Sequence, residues 1–295
     1  MRQGSSRRPL KFMPKTVFLL AHPAGHSLSP AMHNAAFEQL GLAAHYEALD
    51  VPPDAVEEAV GSLRNADCYG ANVTVPHKLA VIPFMDELTE AAEAVGAVNT
   101  IVNTDGKLLG NNTDASGFLR ALRGGLDESL VEKTAVMLGA GGAARAVTYA
   151  LLSENVRVRV YNRTVEKAQA LAEDFEALGD ISALDEGGLE PAVQTADLLV
   201  NTTSVGMARG GVDPETSPLP SDVLPSEGFV CDLVYRPAKT KLLRDAEAAG
   251  LLVQNGLPML VYQGAEAFER WTGREAPVEV MFQALSETLE AEALE

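Results

Sequence analysis

The chain has 295 residues, 46% of them hydrophobic and 22% charged, an ordinary globular balance with room for two cored domains. With 41 acidic and 23 basic residues the formal charge is −18, which excludes nucleic acid as a main partner because a phosphate backbone needs a basic face. No apolar run reaches the roughly 18 residues that a bilayer span requires, and Cys68 and Cys231 are too few for a disulfide scaffold or a metal cluster.

These limits predict a cytoplasmic protein with no membrane partner and no metal. Residues 1–14 carry Arg2, Arg7, Arg8 and Lys11 without the apolar core or cleavage site of a signal peptide, and are expected to form a disordered leader. Residues 16–20 then read as a buried strand. Pro30 opens a helix in which Met32, Ala36, Phe37 and Leu40 recur at helical spacing, and Gly41 closes it. A strand over 44–49 and a helix over 53–63 follow. In 70–78, Val73 and Val75 alternate with Asn72 and Thr74, so two polar side chains share a face before Pro76 stops the strand. A hairpin pairs 98–102 with 107–111 across Asp105-Gly106.

From residue 134 strands and helices alternate: strands at 134–138, 156–161, near 181–183, 197–201 and 229–233. That order predicts a parallel, doubly wound sheet. Its first turn is the informative one. Apolar Ala135 to Leu138 run into Gly139-Ala140-Gly141-Gly142-Ala143, and helix formers follow. This is the strand–glycine turn–helix of a dinucleotide site. Gly139 makes the tight turn, Gly141 admits a pyrophosphate to the backbone, and small Ala144 lets helix and strand pack. The second strand ends in Asn162-Arg163-Thr164 with Lys167 one helical turn on. An NAD site carries an acid here for the ribose hydroxyl. This chain offers cations instead, which suits a 2′-phosphate and predicts NADP as cofactor. Arg145 is a further local cation in an acidic chain. A loop over 213–225, a helix over 240–249, a short strand over 251–254 and two closing helices complete the chain.

Outside the glycine turn four polar clusters stand out, each with two readings. His26-Ser27-Leu28-Ser29 can hold a small acid through hydroxyls, or can cap the helix at Pro30. Asn72, Thr74 and Lys78 can face a ligand, or Lys78 can be a solvated surface charge. Asp114, at the entry to the second domain, can pair with Lys78 to move a proton to or from an alcohol oxygen, or can cap its helix. Tyr235 and Gln263 can face the same cleft, or satisfy buried backbone groups. His77 is expected to stabilise its own loop.

These motifs, in order, are similar to one family. His26-Ser-Leu-Ser-Pro30, Asn72-Val-Thr-Val-Pro-His-Lys78, Gly96-Ala-Val-Asn-Thr100, Gly110-Asn-Asn-Thr-Asp114, the glycine turn, Asn162-Arg-Thr164, Asn201-Thr-Thr-Ser-Val-Gly-Met207, Val234-Tyr-Arg-Pro237 and Gln263 closely resemble shikimate dehydrogenases. The resemblance implies an α/β fold of two domains: a mixed-sheet substrate domain, 15–113 plus 251–295, and a doubly wound Rossmann NADP domain, 114–250. It implies reversible NADPH-dependent reduction of 3-dehydroshikimate to shikimate, in a monomer or homodimer.

The same resemblance implies roles. Lys78 and Asp114 are the catalytic pair. Ser27, Ser29 and Tyr235 hold the substrate carboxylate, while Asn72, Thr74, Asn99 and Gln263 face the ring hydroxyls or order Lys78. Gly139, Ala140, Gly141, Gly142 and Ala143 meet the pyrophosphate, and Asn162, Arg163, Thr164 and Lys167 the 2′-phosphate. Thr202, Ser204, Met207, Leu233 and Gly256 line the rest of the cofactor. Lys167 stands where many relatives carry arginine, a point charge in place of a planar fork. The competing readings are a quinate/shikimate dehydrogenase that also uses NAD, and a non-catalytic sensor of NADP or shikimate.

Overall fold

A computed structural model describes residues 14–25, 27–126, 129–208 and 213–293. Most of the expected leader and His26 lie outside them. The first lobe begins with β1 (Lys15–Ala21), α1 (Ser29–Gln39), β2 (Ala44–Asp50), α2 (Val56–Ser62), β3 (Cys68–Val73), β4 (Glu87–Leu88), α3 (Glu90–Val95), β5 (Thr100–Thr104) and β6 (Lys107–Asn111). Its sheet runs β2-β1-β3-β5-β6-β4. β1 is parallel to both neighbours, while β3, β5 and β6 pair antiparallel. The hairpin turns at Asp105 (φ 53°) and Gly106 (φ 88°), positive values that suit its tight two-residue connection.

The second lobe holds α4 (Asp114–Gly125), β7 (Thr134–Leu138), α5 (Gly142–Ser153), β8 (Arg157–Tyr161), α6 (Val165–Phe175), β9 (Ile181–Leu184), α7 (Glu186–Gln194), β10 (Leu198–Asn201), β11 (Phe229–Asp232), α8 (Lys241–Ala248) and β12 (Leu252–Gln254). All six strands are parallel in the order β12-β11-β10-β7-β8-β9. The connection reverses direction between β7 and β10, which opens a crevice at the carboxyl ends of those strands. Val136 and Val200 are wholly buried from both faces, as a covered parallel sheet demands, each side chain contributing about 1.5–3 kcal/mol of burial.

One expected boundary is corrected. The expected return to the first lobe lies at 251, but β12 pairs with β11 and extends the nucleotide-type sheet. The chain leaves that sheet only at α9 (Leu257–Thr272), which is followed by α10 (Val278–Ala293). The physical reason is that α9 serves both cores. Met259 and Tyr262 pack into the second-lobe cluster, while Val261, Ala265, Phe268 and Trp271 pack into the first. Helix α4 crosses α9 closely because residue 117 is glycine: a Cβ there would stand 2.6 Å from the Gln263 nitrogen.

Candidate active site

Lys78 and Asp114 come from different parts of the chain and meet. The turn after β3 is held by the Val98 N–H, which donates to the Lys78 carbonyl at 2.8 Å. Lys78 Nζ donates to Asp114 Oδ2 at 2.6 Å, and the two side chains are 13% and 7% exposed. This geometry removes the bland reading of each residue. Lys78 is not a solvated charge. Asp114 does not cap its own helix either: Asn112 Oδ1 accepts from the Asp114 and Ala115 N–H groups, leaving the Asp114 carboxylate to face Lys78. Asp114 also sits in the first turn of α4, where the helix end favours negative charge.

The rest of the polar cluster is fixed around that pair. Asn99 Nδ2 donates to Asp114 Oδ1 at 2.9 Å and lies 3.3 Å from Gln263 Oε1. The Thr113 N–H donates to Asn99 Oδ1 at 2.8 Å; a backbone N–H can only donate, so the amide's orientation is set. Asn72 Nδ2 donates to the Asn99 carbonyl (3.2 Å) and to Thr100 Oγ1 (3.1 Å). Tyr46 completes the chain, its hydroxyl donating to Asn72 Oδ1 at 2.8 Å. Burial pushes the ionisation of this phenol well up. His33 stacks on the Tyr46 ring at 4.5 Å, and burial pushes it down to about 3, so it stays neutral.

Tyr46 and Thr100 escape the sequence reading. The signal is there for Tyr46: a tyrosine in an alternating strand that buries its ring must find its hydroxyl a partner. Ser27 Oγ accepts from the Ser29 N–H at 3.2 Å, and no side-chain cap bond to α1 forms. Thr74 sits just past β3 with its N–H on the Leu20 carbonyl; its side chain takes no part in this network. Tyr235 packs against the first-lobe core from a second-lobe loop, so it crosses the cleft. His77 holds Val51 through its ring nitrogen at 2.7 Å, tying its loop to the segment after β2 rather than stabilising its own loop alone.

Across the cleft the glycine turn does what its spacing requires. Gly139 has φ +108°, and a Cβ there would stand 2.5 Å from Thr202 Oγ1. At Gly141 a Cβ would meet nothing within 4 Å, so the space before α5 is open. The free N–H groups of the first turn of α5 face that space. Ala140 and Ala143 flank the turn, and Ala144 is wholly buried beneath it. At Gly142 a Cβ would lie 3.5 Å from Lys78 Cδ. The stem of Lys78 is therefore laid against the start of the second lobe's first helix after the glycine turn.

The turn after β8 is shaped by Asn162, whose Nδ2 donates to the Thr164 carbonyl at 2.8 Å. Arg163, Thr164 and Lys167 are exposed, and among the described residues neither cation has an acidic partner. Two unneutralised cations in a chain of charge −18, beside a glycine turn with open space, fit a phosphorylated dinucleotide. Arg145, expected to help, does not. Its Nε donates to the Val95 carbonyl at 2.6 Å, its Nη1 pairs with Asp174 at 2.5 Å, and it covers the Phe175 ring. It ties α5 to α3 and α6. Thr202 Oγ1 donates to the Leu138 carbonyl at 2.7 Å, and the Met207 N–H donates to the Ser204 carbonyl at 3.2 Å. Gly256 lets its helix start against the Leu233 carbonyl, 2.0 Å from where a Cβ would sit.

Comparison with known proteins agrees with this arrangement. Family models match at residues 19–101 (shikimate dehydrogenase substrate binding domain), 124–208 (shikimate/quinate 5-dehydrogenase) and 256–285 (shikimate 5′-dehydrogenase C-terminal domain). The chain belongs to the shikimate dehydrogenase family. Among its relatives, the NADP(+) shikimate dehydrogenase of Methanopyrus kandleri is 48% identical over 92% of this chain and 95% of its own length. That of Geobacillus kaustophilus is 45% identical over 94% and 99%. The crystal structure of shikimate 5-dehydrogenase from Thermus thermophilus, in complex with NADP(H) and shikimate, superposes with a TM-score of 0.85 at 45% identity, covering 93% of this chain and 100% of that one. Coverage of that extent takes in both lobes and the α9 bridge, so the two-lobed plan is common to the family.

Proposed function

We propose that the chain catalyses the reversible NADP-dependent reduction of the C3 ketone of 3-dehydroshikimate to shikimate. The observation that carries this reading is the Lys78–Asp114 contact of 2.6 Å, made between the turn after β3 and the start of α4, with the Lys78 stem laid against Gly142. NADPH, when bound at the glycine turn, supplies the hydride. Lys78 Nζ gives a proton to the ketone oxygen as it becomes an alcohol, and takes it back in the reverse direction. Asp114 holds the amine in place and balances its charge. Asn99 keeps the Asp114 carboxylate oriented, and Asn72 and Gln263 face the ring hydroxyls. Ser27, Ser29 and Tyr235 hold the carboxylate end. Arg163 and Lys167 grip the 2′-phosphate, with Thr202, Ser204, Met207, Leu233 and Gly256 along the remainder of the cofactor.

Steady-state rates with each pairing of NADP or NAD with shikimate or quinate test this, read at 340 nm. The expected result is turnover with NADP and shikimate well above every other pairing. Comparable rates with NAD and quinate would assign the broader dehydrogenase reading, and binding of both ligands without any absorbance change would assign a sensor. We place the enzyme in the cytoplasm, a reading that two buried free cysteines fit, and propose a monomer or homodimer. No helix of the described residues is long and apolar enough to cross a membrane.

A further inference from the structure

Asp232 ends β11 fully buried, yet among the described residues no cation pairs with it. Its Oδ1 accepts from Asn201 Nδ2 (2.9 Å) and from the Val234 N–H (3.0 Å), and its Oδ2 accepts from Thr240 Oγ1 (2.7 Å). Asn201 in turn accepts from the Thr203 N–H and hydroxyl at 3.0 and 2.7 Å. Thr240 caps α8 by accepting from the Leu243 N–H. One carboxylate thus ties together the loop after β10, the loop after β11 and the start of α8. The first two carry Thr202, Ser204, Met207 and Leu233. They lie at the carboxyl edge of the sheet, where Thr202 also packs on Gly139 of the glycine turn.

We propose that Asp232 is a positioning residue for NADP: its carboxylate, held by three donors, sets the two cofactor-facing loops in the arrangement the dinucleotide meets. An asparagine at this place supplies one acceptor oxygen for three donors, so at least one loop contact weakens. The fold holds the charge at a cost. Burial pushes the Asp232 carboxyl up to about 6, so above that pH the folded protein carries a desolvation penalty that the unfolded chain does not. Among neighbouring titratable groups, Cys231 is buried and its thiol is pushed far up, so it stays neutral. Lys239 and Lys241 beside Thr240 are paired with Glu247 and Asp245 on α8, and Arg236 with Glu292 on α10. The inference rests on the NADP reading above.

Equilibrium titration of the full-length protein with NADP, and separately with shikimate, tests it. At about pH 8, Asp232→Asn is expected to raise the NADP Kd about five- to ten-fold while shikimate Kd stays within about two-fold, since Tyr235 is held by first-lobe packing. Its thermal midpoint should hold or rise, because the buried charge is gone. A purely structural residue would lower the midpoint instead. As pH falls through about 6 the wild-type carboxyl takes up a proton and the two proteins should converge in NADP Kd. The 2′-phosphate titrates nearby, but equally in both, so the ratio isolates residue 232. Thr240→Val should show the same NADP-selective loss, and Thr240→Ser should restore it; this pair decides the matter if Asp232→Asn does not fold. An unchanged NADP Kd in the variants, an equal loss for shikimate, or a ratio independent of pH would each overturn the role of Asp232. A wild-type protein that fails to bind NADP at all would overturn the cofactor reading itself, a separate result.

Discussion

On one wall of the cleft, Lys78, Asn99, Asn72 and Tyr46 of the first lobe and Asp114 at the start of α4 hold one another through bonds of 2.6–3.2 Å. On the other, Arg163 and Lys167 stand exposed beside open space at Gly141. The two walls of the cleft thus meet their ligands differently. The wall proposed for the substrate is organised by its own side chains, which would place the charged pair where charge develops. The wall proposed for the phosphate sets out two exposed cations with no acidic partner among the described residues, so a bound anion would supply their counter-charge. Substitutions in the first wall should therefore act on turnover, and those in the second on cofactor affinity.

The largest effect tests the first half of that division. Lys78→Ala should lower kcat by about 10² or more, the scale of a positioned acid–base group, with a far smaller change in shikimate binding. Unchanged turnover would remove Lys78 from the mechanism. Next is Gly256→Ala, which drives a Cβ into the Leu233 carbonyl. Such an overlap cannot be relieved by a rotamer change, so a drop of about 2–4 kcal/mol in unfolding free energy is expected by denaturant titration.

Arg163→Ala tests the second wall. It should raise the KM for NADP about ten-fold and leave NAD use nearly unchanged, since a charge-assisted phosphate contact is worth about 1.5–3 kcal/mol. Equal losses with both cofactors would contradict the 2′-phosphate assignment. Tyr46→Phe sharpens the comparison: it leaves Asn72 Oδ1 without its donor and should lower kcat/KM for shikimate about five-fold, with the KM for NADP unmoved. A matching shift in both constants would show that the two walls are not independent.

The smallest effect lies away from the cleft. Arg64 beside Asp86 holds that carboxyl below its usual range. A depressed carboxylate stabilises the fold above its unfolded value and loses that contribution as pH falls through its folded value. Asp86→Asn should accordingly lower the thermal midpoint slightly at neutral pH and low salt. The difference should vanish in acid, and also in high salt because the pair is exposed.

Much of this is legible along the chain. The glycine turn, the alternation after residue 134 and the absence of an acid near residue 162 are local patterns, and local sterics and charge fix what they do. The hairpin at Asp105-Gly106 is local in the same sense. By contrast, Arg145 reads as a phosphate-site cation from its place in the helix, yet it faces Val95 and Asp174. Its direction is set by which helix packs beside α5, and that neighbour lies 50 residues away in the chain.

The sequence by itself determined the doubly wound sheet, the dinucleotide turn and the residue types of a proton-moving pair, because periodicity and turn chemistry act over a few residues; the two-lobed plan followed from the order of motifs that resemble one family. Only the tertiary structure decided that Lys78 meets Asp114 and lies on Gly142, that Asn112 rather than Asp114 accepts from the first N–H groups of α4, and that β12 stays with the second sheet. It alone brought Tyr46 to Asn72 and Asp232 to three donors. Each of these depends on burial shared between distant segments. A buried polar group must find partners wherever the packing puts them, and no local pattern records which partners those are.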